Sequence, residues 1–593
     1  MKKTILPLIG FVAIATSGFA QSPYTIHNLN FPFQRGSISA VDTDNDGDRD
    51  LLLTGEGAGQ SVQFYTNNGG FNFAPTTSSF QPSVFTTVAW GDLNGDGQPD
   101  AFQNGFGSSI LSNLYVNNNG NFTEMTSPAE TPLAPGAAMA DFNNDGYPDL
   151  ALFGNHNIGN GPARLYLNDG NDGWTMSMPF GDPLLIDAEL SVVDYDNDGD
   201  LDLFLMAGFD GISGSRYVRL YRNDGDGIFE AMEPELIDKG YGSAAWGDYD
   251  GDGDLDLLLN GDGFLLTGEE SDLIVRIYNN SGGTFTEAVI FEPYRQANAG
   301  QGAVFADWNN DGSLDVILAG WRPIEGQERQ AVAIFLNNGA GNYTEDTNNN
   351  FIPGVSEHSI EVSDLDGDSD LDLIASGYSN HDYNGPGSTF NDNVSYVLEN
   401  PTTATNMAPS TPTNLQTSAS GSSVTFSWDA SSDDTTPTAS LSYNLYVKDM
   451  NGNFILSPLA NTDNGFVKKQ ELGNVQLNTS WTIHGLDGSN YTWGVQAIDN
   501  SYMGSSFSGS IVGTVDLFSN NTLSVFPNPS ADVFQMEATE GQYEVRIYSV
   551  EGKLIQAFTL FGGRTTFELQ PGIYILQAEN EKGEIGTQKL VAQ

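Results

Sequence analysis

Asp42-Thr43-Asp44-Asn45-Asp46-Gly47-Asp48-Arg49-Asp50 is the stretch on which the fold turns. Oxygen-bearing side chains stand at positions 1, 3, 5 and 9, and Gly47 at position 6 lets the chain turn so that the position 7 carbonyl points inward. The nonapeptide recurs six more times, starting at Asp92, Asp141, Asp194, Asp248, Asp307 and Asp364. Successive starts lie 49 to 59 residues apart. That period suits one four-stranded propeller blade and is too long for a β-helix coil.

Each copy reads as a calcium loop, because hard oxygen ligands around a glycine turn are what that ion needs. The first set is Asp42, Asp44, Asp46 and Asp50. The next three are Asp92, Asn94, Asp96 and Asp100; Asp141, Asn143, Asp145 and Asp149; and Asp194, Asp196, Asp198 and Asp202. The last three are Asp248, Asp250, Asp252 and Asp256; Asp307, Asn309, Asp311 and Asp315; and Asp364, Asp366, Asp368 and Asp372. Position 7, whose carbonyl completes each set, is Asp48, Gln98, Tyr147, Asp200, Asp254, Ser313 and Asp370 in turn. Ser369 replaces glycine at position 6 of the seventh copy, which predicts a left-handed non-glycine residue and the weakest of about seven calcium sites. Apolar β-prone runs precede the loops and Leu-rich runs follow them, so the ion is expected in a strand-to-strand turn. Carboxylates crowded in this way repel unless a cation neutralises them, so the calcium reads as structural.

The rest of the 593-residue composition agrees. Its 77 acidic against 21 basic residues give a net charge of −56, which excludes nucleic acid and anionic membrane surfaces as partners. With 68 Gly and 11% aromatic residues the chain is turn-rich and core-forming. Having no cysteine, it has no disulfide, thiolate nucleophile or Cys-ligated metal. Residues 1–20 read as a signal peptide, with Lys2 and Lys3, an apolar run from Ile5 to Ala15, and Gly18-Phe19-Ala20 before Gln21. No later segment reads as a membrane span.

The copies resemble the FG-GAP or VCBS repeats of integrin-α-like propellers, over residues 21–405. The resemblance includes a Leu-Tyr-x-Asn strand after each loop, as in Leu114-Tyr115-Val116-Asn117 and Leu220-Tyr221-Arg222-Asn223, degraded last to Tyr396-Val397-Leu398-Glu399-Asn400. It implies a seven-bladed β-propeller within an all-β chain. Most copies continue into a Phe-Thr-Glu type strand, which is missing after Asn400. Tyr24 to Leu29 has that strand's alternation, so the N-terminal segment is predicted to close the ring as the last blade's outer strand.

With the metal loops joining the first and second strands, the loops between second and third strands fall on the opposite face. Residues 206–216, 261–274, 320–331 and 376–394 are long there and carry Phe209, Trp321, Arg322, Tyr378, His381 and Tyr383 as candidate ligand-binding residues. Local packing of the same aromatics is the alternative. Trp90, Trp246 and Trp308 read as blade core. The five His residues, at 27, 156, 358, 381 and 484, form no zinc or triad pattern. One Lys, Lys239, and ten Arg between 21 and 405 argue against uronate chemistry.

Past a Pro-Thr linker, alternation at Val424, Phe426 and Trp428, and at Tyr491, Trp493 and Val495, indicates a β-sandwich over 408–515. Pro409, Pro412, Leu415, Trp428, Leu486 and Tyr491 make it resemble a fibronectin type III domain, read here as a spacer, with adhesion as the alternative. Residues 520–593, with Val525-Phe526-Pro527-Asn528-Pro529, Val545-Arg546-Ile547-Tyr548 and Pro571-Gly572-Ile573-Tyr574, resemble the type IX secretion C-terminal sorting domain of Bacteroidota. That implies the type IX machinery as a partner and release or attachment at the cell surface. The leading reading is a non-catalytic, exported binding or adhesion protein with a glycan or extracellular protein ligand. The alternatives are a carbohydrate-active enzyme, lyase or hydrolase, with its site opposite the calcium loops, and a structural surface-layer or matrix component.

Overall fold

The computed structural model describes residues 23–592 except 58, 130–131, 157–162, 171–172, 181–184, 210–215, 226, 233–235, 237–239, 263–274, 292–301, 325–326, 347–351, 380–391, 450, 487–490, 509–510, 513–522, 527–532, 550–552 and 581–584. The signal-peptide reading of residues 1–20 lies outside the described residues.

The described chain is all-β and propeller-like. Between residues 25 and 399 it forms seven four-stranded antiparallel sheets. The first runs Gln34–Val41, Asp50–Glu56, Gln60–Asn67 and Phe73–Thr76, the fourth Leu185–Val193, Asp202–Phe209, Arg216–Asn223 and Phe229–Met232. In the seventh, Ser356–Ser363, Asp372–Ser379 and Asp392–Glu399 are joined by Thr25–Asn28. That N-terminal strand pairs with Asp392–Glu399, Thr25 opposite Glu399 and Asn28 opposite Tyr396, as the alternation of 24–29 predicts. The innermost strands of consecutive sheets touch in chain order and the seventh touches the first, so the sheets close into a ring. Closure leaves the first strands of the sheets lining a central channel, away from outside partners.

The second strands are buried on both faces. Leu51-Leu52-Leu53, Leu203-Phe204-Leu205 and Leu257-Leu258-Leu259 therefore run as continuous apolar stretches rather than alternating ones. Between sheets, Trp90 and Trp308 are buried, and Trp246 packs edge-on against Phe204, as their recurrence beside the loops predicts. The inner strands face a central channel and cannot pair with one another. Carboxylates serve some of their free N–H groups: Glu361 accepts from Ala40 at 3.0 Å and Glu189 from Ala244 at 3.2 Å.

Residues 413–512 form a three-stranded sheet (Thr413–Ser420, Ser423–Asp429, Ser480–His484) and a four-stranded one (Ser442–Lys448, Phe454–Leu456, Thr492–Ile498, Ile511–Val512). Phe426, Trp428, Tyr443, Trp481 and Trp493 are buried between them. This unit is not the free spacer its sequence suggests. It sits on the ring at the acidic-loop end, and Trp481, Tyr502 and the stretch 469–474 floor a central cavity of about 630 Å³ that extends to Arg35 and Phe85 at the far end. A last five-stranded sheet, spanning Leu523 to Ala592, has its own core around Phe534, Ile547, Leu576 and Leu590.

Candidate metal centres

Each acidic nonapeptide is the turn between the first and second strands of a sheet. Two left-handed residues bend it. Position 6 carries φ between 81° and 99° at Gly47, Gly97, Gly146, Gly199, Gly253 and Gly312, and 76° at Ser369. Position 4 is left-handed too, at Asn45, Gly95, Asn144, Asn197, Gly251, Asn310 and Gly367. Only glycine and asparagine occur at position 4 because they tolerate that region at least cost. The glycine-asparagine alternation was legible in the sequence, although only position 6 carries that reading there.

The bend aims backbone donors at the first carboxylate. Asp194 Oδ1 accepts from the Asp198 N–H at 3.1 Å and its Oδ2 from Gly199 at 3.0 Å, and Asp141 and Asp307 repeat both bonds. The side chains converge in part, without all four of positions 1, 3, 5 and 9 meeting in any one group. Three carboxylates offer oxygens within 4.8 Å of one another in four loops: Asp42, Asp44 and Asp46; Asp194, Asp196 and Asp202; Asp248, Asp250 and Asp256; and Asp364, Asp366 and Asp372. In the other three, position 3 is Asn94, Asn143 or Asn309, whose amide donates to the carboxylate of Asp96, Asp145 or Asp311 at 3.0–3.1 Å. Those loops carry two acidic groups fewer, since position 7 is Gln98, Tyr147 or Ser313 there and aspartate in the other four. The oxygens Asp42 Oδ1, Asp44 Oδ1, Asp196 Oδ1 and Asp370 Oδ1 are buried without a hydrogen-bond partner. A buried acceptor of this kind is costly unless something positive meets it, and an all-oxygen donor set fits a hard divalent cation.

Position 9 does more than its spacing implies. Asp50, Asp100, Asp149, Asp202, Asp256, Asp315 and Asp372 are all buried. Each accepts through Oδ2 from the N–H of position 2 in its own loop, at 2.9–3.3 Å. Each also accepts through Oδ1 from the N–H of the asparagine ending the third strand, at 2.6–3.0 Å. These carboxylates are struts of the turn as well as members of the acidic cluster. Burial pushes Asp202, Asp256 and Asp372 up to about 9 and Asp100 and Asp315 to about 8, neighbouring carboxylates add to the rise, and the backbone N–H bonds oppose it. Burial likewise brings Asp42, Asp194, Asp248 and Asp307 to about 6. A bound cation reverses this balance by favouring the ionised form.

The asparagines of the Leu-Tyr-x-Asn strands have a role that sequence left blank. The amides of Asn67, Asn117, Asn168, Asn223, Asn280, Asn337 and Asn400 each donate to the position 2 carbonyl of the preceding loop around the ring, at 2.7–3.2 Å. Position 4 reaches the other way. Asn45 donates to Gln98 Oε1 and Asn197 to Asp254 Oδ1, both at 2.7 Å, and Asn144 bonds Asp200. The side chains of Gln98, Asp200 and Asp254 therefore tie neighbouring loops together. At position 7 the backbone N–H, in Asp48, Gln98, Tyr147, Asp200, Asp254, Ser313 and Asp370, donates to the position 5 carboxylate at 2.8–3.1 Å.

Of the candidate ligand residues on the far face, Trp321 and Arg322 lie in Asp315–Ile324, which pairs with Gln327–Asn337 almost to the hairpin end, Ile324 opposite Gln327. The stretch 320–331 is thus mostly an extended β-hairpin instead of the loop its composition suggests, because strand pairing satisfies backbone groups that a long loop leaves to water. Arg322 is tied to Glu345 at 2.5 Å. Tyr378 stands near the end of Asp372–Ser379 in the adjacent sheet and Phe209 ends Asp202–Phe209. His381 and Tyr383 lie outside the described residues.

Comparison with known proteins fits this arrangement. The family model described as FG-GAP-like repeat matches residues 42–102, 141–205, 194–259 and 259–318. That described as secretion system C-terminal sorting domain matches 524–593. Cartilage acidic protein 1 of Mus musculus is 29% identical over 259 residues, and that of Xenopus tropicalis 28% over 225. These matches cover 40% and 35% of this chain but only 36% and 31% of the relatives, about a third of their length. Among solved structures, PorZ, a surface component of the type IX secretion system of Porphyromonas gingivalis, aligns over 94% of this chain and 82% of its own at 9% identity and a TM-score of 0.21. The extracellular domain of BT3049 from B. thetaiotaomicron aligns over 94% and 68% at 10% identity and a TM-score of 0.28. Scores this low carry no shared architecture or activity. Among the described residues no helix is long and apolar enough to cross a membrane. The chain carries FG-GAP-like repeats and ends in a secretion system C-terminal sorting domain, which marks it for export through type IX secretion to the cell surface or outside.

Proposed function

We propose that this exported protein is a calcium-braced binding or adhesion protein that works without catalysis, taking a glycan or extracellular protein ligand on the face remote from the acidic loops. One observation supports it above the rest: the acidic loops are bonded into the frame. Asn223, for example, fastens the fourth sheet to the third loop while Asp202 fastens the fourth loop to its own third strand. An ion held among such struts braces the turn and has little freedom to serve a reaction. Calcium is the cation proposed because the donors are all hard oxygens in a flexible turn, and an exported protein meets calcium at levels that weak extracellular sites can use. Binding is then left to the far ends of the sheets, where Trp321 and Tyr378 stand on adjacent sheets.

A glycan array, paired with assays for new reducing ends and unsaturated products on the same purified protein, tests this. Binding without turnover is expected, weakened by Trp321→Ala or Tyr378→Ala. Turnover of any polysaccharide, or binding indifferent to both substitutions, overturns it.

A further inference from the structure

We infer that the unit 413–512 is a clamp on the acidic loops, and that its docking and the cation loading of those loops form one linked event. The inference rests on the reading of the loops as cation sites. Its basis is that the unit bonds every one of the seven loops, each by a different contact, with Lys468 alone among the residues named below serving two of them. In the first, the Asp42 N–H donates to Lys468 O at 2.9 Å; in the second, Phe454 N–H donates to Gly95 O at 3.0 Å and Lys468 Nζ to Gly97 O at 2.6 Å. His484 N–H meets Asn144 O of the third loop at 2.6 Å, and Gln470 Oε1 accepts from the Asp364 N–H of the seventh at 2.6 Å. The remaining three are held by the first carboxylate itself. Asn478 Nδ2 donates to Asp194 Oδ2 at 2.8 Å, Ser440 Oγ to Asp248 Oδ2 at 2.8 Å, and Ser501 Oγ to Asp307 Oδ2 at 3.0 Å.

Close approach makes the fit specific. A Cβ at Gly312 would lie 2.2 Å from the Thr435 backbone, and one at Gly146 2.6 Å from Ile455 O, whereas one at Gly47 or Gly199 meets nothing within 4 Å. Position 6 glycine in the third and sixth loops thus serves docking as well as the turn. Arg49 ties the seam: its guanidinium donates to Asp364 O at 3.0 Å and Val467 O at 2.5 Å, and lies 4.5 Å over the Phe466 ring.

Linkage follows from which loop shape the clamp grips. The clamp accepts from backbone N–H groups of the first and seventh loops and donates to carbonyls of the second and third and to carboxylates of the other three, all placed by the closed turn, and crowded carboxylates stay closed only when a cation offsets their repulsion. The clamp and the ion therefore favour the same conformation, and each must raise the other's affinity by the same factor. The acidic face is then occupied by the chain itself and is not where an outside partner docks.

The test uses the full chain with a protease site inserted between the exposed Met407 and Ala408, in the segment joining ring and clamp. After cutting, ring and clamp are held together by docking alone. In excess calcium the two pieces are expected to co-elute on size exclusion, and in EGTA to separate. In the uncut chain, Ser440→Ala/Asn478→Ala/Ser501→Ala is expected to weaken calcium binding about five-fold or more, the low end of a coupling between linked sites. Pieces that separate with calcium bound overturn the clamp. Pieces that stay together equally after bound calcium is stripped, or a triple variant with unchanged calcium affinity, overturn the linkage. Metal content of the intact, unmodified chain is read separately: if it binds no calcium, the cation reading itself falls, whatever the cut pieces do.

Discussion

The side-chain amide of Asn67 donates to the carbonyl of Leu365 at 2.9 Å, joining the first sheet to the last loop across 298 residues of chain. Asn223 makes the same bond to Phe142 at 2.8 Å inside the ring. The seam is therefore fastened by the device that fastens every other pair of neighbours, in addition to the borrowed strand Thr25–Asn28.

Asn67→Ala leaves the Leu365 carbonyl, in a buried setting, without its donor. A loss of about 1–3 kcal/mol is expected, the cost of an unsatisfied buried group. Asn223→Ala should cost the same within error, read by thermal or urea unfolding in calcium. If Asn67→Ala is silent while Asn223→Ala is not, the seam is carried by its other contacts, the strand Thr25–Asn28 and the bonds of Arg49 to Asp364 and of Ala40 to Glu361.

These asparagines show what sequence reading reached and where it stopped. Their spacing after each loop was legible, as were the loops, the four-strand period and the N-terminal closing strand, because each recurs at a fixed interval or has period-two alternation. Their bond partners were not, since those lie in the preceding repeat and are set by the ring's geometry. The same holds for the clamp. Lys468, Asn478 and Ser501 have no shared motif, because an unsymmetrical unit meets seven loops by seven different contacts. Trp321 and Arg322 read as loop residues because Gly320, Pro323 and Gly326 punctuate the stretch, yet cross-strand pairing overrides those signals.

Ser369 holds φ at 76° where six loops have glycine, and its N–H reaches Asp364 Oδ2 at 3.3 Å, longer than the 2.7–3.0 Å of the equivalent bond at Gly97, Gly146, Gly199, Gly253 and Gly312. A left-handed non-glycine residue costs about 1–2 kcal/mol. Ser369→Gly is therefore expected to gain about 1 kcal/mol and to tighten one calcium site. Gly199→Ser should lose as much, since a Cβ there meets no atom within 4 Å and only the backbone conformation is penalised. Unfolding curves in calcium check both; a neutral Ser369→Gly contradicts the strain.

Asp196 Oδ1 is buried and unpaired in a cluster with Asp194 and Asp202. Asp196→Asn is expected to have opposite effects in two conditions. In calcium it removes a charged ligand and destabilises, because a site held at ~100 times its dissociation constant contributes about 2.7 kcal/mol. In EGTA it relieves carboxylate repulsion and stabilises relative to the unsubstituted chain, whose own melting temperature should drop on chelation. A melting temperature unmoved by EDTA, or the same sign of effect in both conditions, contradicts a cation at this loop.

Glu189 lines the central cavity, enclosed by protein but beside space wide enough for water. Burial raises its carboxyl from the ordinary 4.5 to about 8, opposed by the N–H of Ala244. Between those two values the folded protein holds a proton that the unfolded chain has released, so this group lowers stability as pH rises through the window. Glu361, raised by burial to about 7 with Lys469 pulling it down, acts in the same direction over a narrower range. Glu189→Gln keeps an oxygen for the Ala244 N–H and removes the ionisation. In excess calcium the variant should match the unsubstituted protein at pH 5 and exceed it at pH 8 by on the order of 2 kcal/mol. A tenfold change in proton affinity is worth about 1.4 kcal/mol, and water in the cavity returns part of the burial cost. Glu361→Gln should show a smaller gain that begins at the same pH. A Glu189→Gln variant less stable than the unsubstituted protein at pH 8 would mean that the carboxylate is ionised and paired across the channel, and that burial does not control it.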